Sequence, residues 1–106
     1  AINKADIAAS FQEAVVDVLV TKTISAAKEC GMKKVALAGG VASNGALRKR
    51  MVEVCEKNHI ELFYPSPIYC TDNGAMIGAA AYYEFLNGAR AGLDLNAVPN
   101  LKIGQR

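Results

Sequence analysis

The chain has 106 residues, 52% of them apolar and 21% charged, with a formal net charge of +2. That length allows one domain with a modest core, and the composition excludes a disordered chain. A charge of +2 is too weak to mark a nucleic-acid surface by itself.

Three cysteines occur, Cys30, Cys55 and Cys70, far apart and with no C-x-x-C spacing. An odd number at long spacing reads as reduced thiols in a cytoplasmic protein, not a disulfide scaffold or a zinc ribbon. No basic-then-apolar leader opens the chain and no apolar run reaches about 18 residues, which disfavours secretion and membrane spanning. The opening Ala1-Ile2-Asn3 lacks a methionine, as is expected of a processed, trimmed or excised piece.

A first helix is expected over about 6–30. Ile7, Phe11, Ala14, Val15, Val18, Leu19, Ala26, Ala27 and Cys30 recur at helical spacing and form its expected inner stripe. Asp6 or Ser10 is the expected cap, and Gly31 follows the last turn, where a left-handed residue is common. Val15, Val16, Val18 and Val20 weaken the helix, but no turn residue interrupts it.

A strand is expected at 35–38, apolar throughout, as suits an interior parallel strand covered on both faces. A second helix follows over about 43–57, with Leu47, Met51, Val54 and Cys55 inward. The triplet Arg48-Lys49-Arg50 fans around that helix and reads as a solvated face. His59 lies in the next turn and reads as a surface residue; a second strand covers 60–64, ended by Pro65-Ser66-Pro67. A third helix is expected over about 73–86. Its first part, Gly74 to Ala81, is nearly free of bulk and charge and is expected to lie buried against another backbone. Asn87-Gly88 ends it, and 89–106 reads as an extended tail.

The order α-β-α-β-α implies an α/β fold with two parallel strands and a right-handed crossover. Two strands make neither a stable open sheet nor a protected one. The remaining strands are therefore expected from the rest of the same polypeptide, with self-association of the piece as the other way to cover the edges.

Two stretches carry candidate chemistry. Gly39-Gly40, with Ser43, Asn44 and Gly45, sits between a strand and a helix. It is neither a P-loop nor G-x-G-x-x-G. It is either a tight turn capped by Ser43 or Asn44, or a place where a nucleotide or other anion meets bare backbone and a helix N-terminus. Cys70-Thr71-Asp72-Asn73-Gly74 follows the second strand. Asp72 is either a helix cap or a carboxylate offered to a metal or a ligand hydroxyl. Both stretches follow the carboxyl ends of adjacent parallel strands, the edge where ligands bind in open α/β sheets. No residue stands out as a nucleophile; Cys70, beside Asp72, reads as packing.

Gly39-Gly40-Val41-Ala42-Ser43-Asn44-Gly45-Ala46-Leu47-Arg48, followed by Cys70-Thr71-Asp72-Asn73-Gly74-Ala75-Met76-Ile77, resembles the C-terminal part of the TsaD family. These are tRNA N6-adenosine threonylcarbamoyltransferases, formerly called O-sialoglycoprotein endopeptidases. The ending Leu93 to Leu101 is similar to the bacterial branch. The resemblance implies that 1–106 is the C-terminal portion of the second lobe of an actin-like (ASKH, ribonuclease-H-like) fold, incomplete as a catalytic unit. It implies that Gly39, Gly40 and Asn44 contact the nucleotide and that Asp72 is one ligand of a divalent metal, Fe2+ or else Zn2+. The family's histidine ligands have no counterpart here, since His59 is the single histidine. It further implies an adenylate or ATP-type nucleotide, tRNA, and TsaB- and TsaE-type partner proteins, in the cytoplasm and with no membrane. Two readings stand beside it: a lobe of another actin-like carbamoyltransferase or ATPase, and a non-catalytic interaction module.

Overall fold

A computed structural model describes residues 2–102, 104 and 105; Ala1, Ile103 and Arg106, which close the expected 1–106 span and its tail, lie outside the described residues. The chain divides into two compact units, Ala1–Asn73 and Gly74–Arg106.

The first unit begins with α1 (Lys4–Glu29). Asn3 caps it, its side chain accepting from the Ala5 N–H at 3.0 Å and donating to Asp6 at 2.9 Å. The cap is thus neither Asp6 nor Ser10; Asp6 instead supplies the first-turn negative charge that the helix dipole favours. Strand β1 (Lys34–Ala36) follows, then a 3-10 turn (Gly40–Ser43) and α2 (Gly45–Lys57). Strand β2 (Glu61–Phe63) and a second 3-10 turn (Pro67–Tyr69) complete the unit.

The strands pair in parallel, Lys34 with Glu61, Val35 with Leu62 and Ala36 with Phe63. Both are shorter than the 35–38 and 60–64 expected. Ile60 is used by the end of α2: its N–H bonds the Cys55 carbonyl at 2.9 Å while the His59 N–H bonds that of Glu56 at 3.1 Å. This is the paired closure of a Schellman motif, with His59 in the left-handed conformation, φ 55°, that glycine normally fills. Gly31 closes α1 in the same way, φ 65°, through Met32 to Ala27 and Gly31 to Lys28.

One core holds this unit together. Val16, Val20, Ile24 and Ala27 of α1 pack with Leu47, Met51 and Cys55 of α2 and with Ile60; Val35, Leu37, Val54 and Leu62 lie against them. The α2 stripe is the one its spacing predicts. The α1 stripe is not. Only Ala27 of the predicted residues is buried, whereas Ile7 is 56% and Phe11 71% exposed. Helix α1 is apolar on more than one face, so periodicity does not say which face meets α2. The sheet also departs from expectation. Val35 and Leu62 are half-buried, while Lys34, Ala36, Glu61 and Phe63 are exposed, so a single face of the sheet is covered. An ion pair of 3.8 Å joins Lys34 to Glu61 on the open face.

The second unit contains α3 (Gly74–Leu86). It too ends in a Schellman motif, with Gly88 at φ 86° and bonds from Ala89 to Glu84 and from Gly88 to Phe85. None of its residues is buried, contrary to the close packing read from Gly74 to Ala81. Among the described residues beyond it there is no helix or strand. No helix among the described residues is long and apolar enough to cross a membrane.

Candidate functional site

The two sequence-predicted stretches leave β1 and β2 at the same, carboxyl end of the sheet. The last bond of the ladder runs from the Leu37 N–H to the Phe63 carbonyl, 2.8 Å. Beyond it the chain turns at Gly39, φ 88° and ψ 171°, a conformation open almost solely to glycine. Gly40 differs. Its φ is not positive, and a Cβ there would meet only Thr71 Cγ2, at 4.0 Å, an ordinary contact. Nothing in the described chain demands a glycine at 40. That same contact shows the Gly-Gly turn lying beside the Thr71-Asp72 loop.

Asn44 is the N-cap of α2. Its Oδ1 accepts from the Leu47 N–H at 2.9 Å, and its Nδ2 donates to Gln12 Oε1 of α1 at 3.2 Å. Ser43, the other candidate cap, donates its hydroxyl to the Gly40 carbonyl instead, 2.6 Å, and tightens the turn. Asn44 also lines a cleft of about 410 Å3 between α1 and this turn. Phe11, Val15, Val41 and Leu47 give it apolar walls, and Gln12 and Asn44 are its polar groups.

Asp72 stands exposed at the end of the second loop. Asn73 braces that loop by donating to the Thr71 carbonyl at 2.9 Å. Among the described residues no group of three or more His, Cys, Asp or Glu able to hold a metal ion is found. A single carboxylate is not a metal site, so the residues present do not by themselves fit a metal centre. His59 is exposed at the C-terminal end of α2, away from the carboxyl ends of the strands.

Arg48, read from the sequence as part of a solvated face, is half-buried and joins the two loops. Its Nε donates to the Ala42 carbonyl, and its Nη2 donates to the Pro65 carbonyl at 2.8 Å and to Cys70 Sγ at 3.0 Å. The guanidinium also lies 5.0 Å from the centre of the Tyr64 ring, a cation–π contact. Cys70 is buried, as packing predicts, but its charged neighbour is this guanidinium and not Asp72. Arg50, next but one, leaves the site and pairs with Glu13 on α1 at 2.6 Å. With Arg48 between the loops, Lys49 exposed and Arg50 paired to α1, three adjacent basic residues have three different settings, which consecutive helical positions permit and which no sequence pattern distinguishes.

Residues 1–79 match the family model TsaD: tRNA N6-adenosine threonylcarbamoyltransferase. The chain belongs to the TsaD family. It is 59% identical over 105 residues to a protein named tRNA N6-adenosine threonylcarbamoyltransferase from Clostridium botulinum (strain Hall). Proteins of the same name from Clostridium novyi (strain NT) and Clostridium beijerinckii are 58% and 55% identical. Each alignment covers 99% of this chain and 31% of the relative, so the chain has the extent of a TsaD fragment. Gly39, Gly40, Asn44 and Arg48 all lie within the stretch the TsaD model matches, as does Asp72.

Sequence reasoning found the two loops but missed Arg48 and the Phe11-Gln12 wall of the cleft. Phe11 has the spacing of a core residue, and no signal in the sequence separates that role from a place in the cleft wall.

Proposed function

We propose that this segment forms one wall of the active site of a TsaD-type transferase. The reaction moves threonylcarbamoyl from threonylcarbamoyl-AMP to N6 of adenosine 37 in tRNA. The observation that carries the reading is the meeting of the Gly39-Gly40 turn and the Asp72 loop at the carboxyl edge of parallel strands, in a chain of this family. The parent architecture proposed is an actin-like lobe, of which this is the C-terminal portion. The rest of its own polypeptide would complete the sheet and the site.

The adenosine end of the nucleotide lies against the bare backbone of Gly39 and Gly40. The cleft beside Asn44 has the volume for a purine ring, and the Gln12 and Asn44 amides can hydrogen-bond its edge. In the transfer, N6 attacks the carbamoyl carbonyl, a C–N bond forms, the C–O bond to phosphate breaks, AMP leaves, and the N6 proton passes to solvent. The mixed anhydride is already activated. Orientation and charge stabilisation are therefore what the protein must supply, and no covalent step is assigned to Ser43, whose hydroxyl bonds the Gly40 carbonyl, or to the buried Cys70. Asp72 contributes one ligand to a metal, Fe2+ or Zn2+, whose other ligands come from outside this segment. The surroundings proposed are cytoplasmic, with tRNA and TsaB- and TsaE-type proteins as partners; the three free cysteines agree with a reducing compartment.

The test supplies the intact protein carrying this segment with threonylcarbamoyl-AMP and a tRNA that reads ANN codons, and measures threonylcarbamoyladenosine by nucleoside mass spectrometry. Formation by the intact protein and none by residues 1–106 alone is expected. ATP hydrolysis without tRNA modification would point to another actin-like ATPase. Modification by the isolated segment would refute its incompleteness.

A further inference from the structure

The Arg48 side chain reaches out of α2 into both loops of the site. Three acceptors from three places converge on it: the Ala42 carbonyl in the Gly-Gly turn, the Pro65 carbonyl at the end of β2, and Cys70 Sγ two residues before Asp72. Ala42 and Cys70 are 1% and 5% exposed, while Arg48 and Pro65 are half-buried, so these bonds form partly shielded from water. There a charged donor counts for more and an unpaired carbonyl costs more. Tyr64 covers the guanidinium, 5.0 Å from ring centre to Cζ. The two loops leave neighbouring strands; one carries Gly39, Gly40 and Asn44, proposed to meet the nucleotide, and the other carries Asp72, proposed as a metal ligand.

We propose that Arg48 is a positioning residue: its guanidinium locks the Gly39–Asn44 turn to the Pro65–Asp72 loop and so sets their separation across the substrate. The inference rests on the transferase reading for its catalytic consequence, but not for the lock itself. The planar fork of arginine is what the site uses. A lysine ammonium keeps the charge, but as one compact centre it has neither the planar face that stacks on Tyr64 nor the spaced Nε and Nη2 donors that reach Ala42 and Pro65 separately.

Arg48→Met and Arg48→Lys are made in the intact protein. Hydrogen exchange is followed in peptides covering residues 38–44, 65–73 and 51–57. With the lock removed, exchange rises together in the first two peptides, by about tenfold, while the third, in the α2 core, stays at the wild-type rate. The kcat of threonylcarbamoyl transfer falls about 10- to 100-fold, as expected for loops misplaced by an ångström or less, with KM for the adenylate changed less. Arg48→Lys restores neither. Unchanged exchange in the two loops overturns the proposal, as does full recovery by lysine, which would mean that charge alone matters. A rise of equal size in the α2 peptide also overturns it, since that is general destabilisation. Should Arg48→Met not fold, the same outcomes are read from Arg48→Lys. If the wild-type protein performs no transfer, the functional reading fails while the exchange measurement still decides the lock.

Discussion

Replacing Gly39 or Gly40 by alanine adds the same methyl group to adjacent residues, yet the two changes should act on different properties. Gly39 has φ 88° and ψ 171°, and a Cβ there would meet nothing within 4 Å. Its cost to alanine is therefore backbone strain and not crowding, about 1–3 kcal/mol, offset in small part by the lower entropy of the unfolded alanine chain. At Gly40 the backbone is ordinary and the nearest atom to a Cβ is Thr71 Cγ2 at 4.0 Å. Gly40→Ala should leave stability unchanged or raise it by about 0.4–1 kcal/mol. Ligand binding should follow the opposite logic. If adenosine lies on the Gly40 backbone, a methyl group there displaces it. AMP affinity should fall at least tenfold, about 1.4 kcal/mol, in a protein that is otherwise as stable as wild type. Urea unfolding and AMP titration of the intact protein give both numbers. Gly40→Ala losing more stability than Gly39→Ala would refute the backbone argument. Normal AMP affinity in Gly40→Ala would refute close approach of the ligand.

Asn44→Ala removes both the cap of α2 and the link to Gln12 and should cost about 0.5–2 kcal/mol in urea unfolding. Asn44→Asp keeps the capping oxygen and should regain most of that loss while still binding AMP more weakly, because the Nδ2 donor is gone; wild-type affinity in this variant would count against the amide contact. His59→Gly relieves a left-handed residue at φ 55° and should raise stability by about 0.5–1 kcal/mol after the entropy of glycine is subtracted, visible as a higher urea midpoint at unchanged slope. Burial pushes the Cys55 thiol above its ordinary value of 9.0, so the folded protein keeps that proton longer than the unfolded chain. Its contribution to stability is thus constant below about pH 8 and is lost as pH rises through the unfolded value toward the higher folded one. The urea midpoint of Cys55→Ala, lower at neutral pH for the lost packing, should fall less between pH 8 and about 10 than that of wild type; equal slopes would assign the fall to other groups.

The elements themselves were legible because each carries a local cause. Glycine after a helical pattern closes α1 and α3, the Leu47-Met51-Cys55 spacing turns α2 inward, and runs of apolar residues bounded by turn formers make β1 and β2. Gly39, Gly40 and Asp72 could be placed at one sheet edge because parallel strands send their following loops to the same side. The identity of the family was legible in two short motifs at fixed separation, over a chain that spans about a third of its relatives' length. What was not legible turned on choices between equivalent local options. Helix α1 has apolar residues on more than one face, and only docking against α2 decides that Val16, Val20 and Ile24 are covered while Ile7 and Phe11 are not. Histidine visits the left-handed region more than most residues but far less than glycine, so the sequence does not mark His59 as the closing residue; the two hydrogen bonds that close α2 hold it there.

The sequence alone determined that a Gly-Gly turn and an aspartate loop share the carboxyl edge of a parallel pair, since strand direction and chain order leave no other arrangement. Only the tertiary structure decided what joins them. Arg48, Lys49 and Arg50 are chemically alike and consecutive, and a helix sends each about 100° from the last. Which of the three meets the carbonyls of Ala42 and Pro65 depends on how α2 is rotated against the sheet. That rotation is set by the burial of Leu47, Met51 and Cys55 against residues distant in sequence.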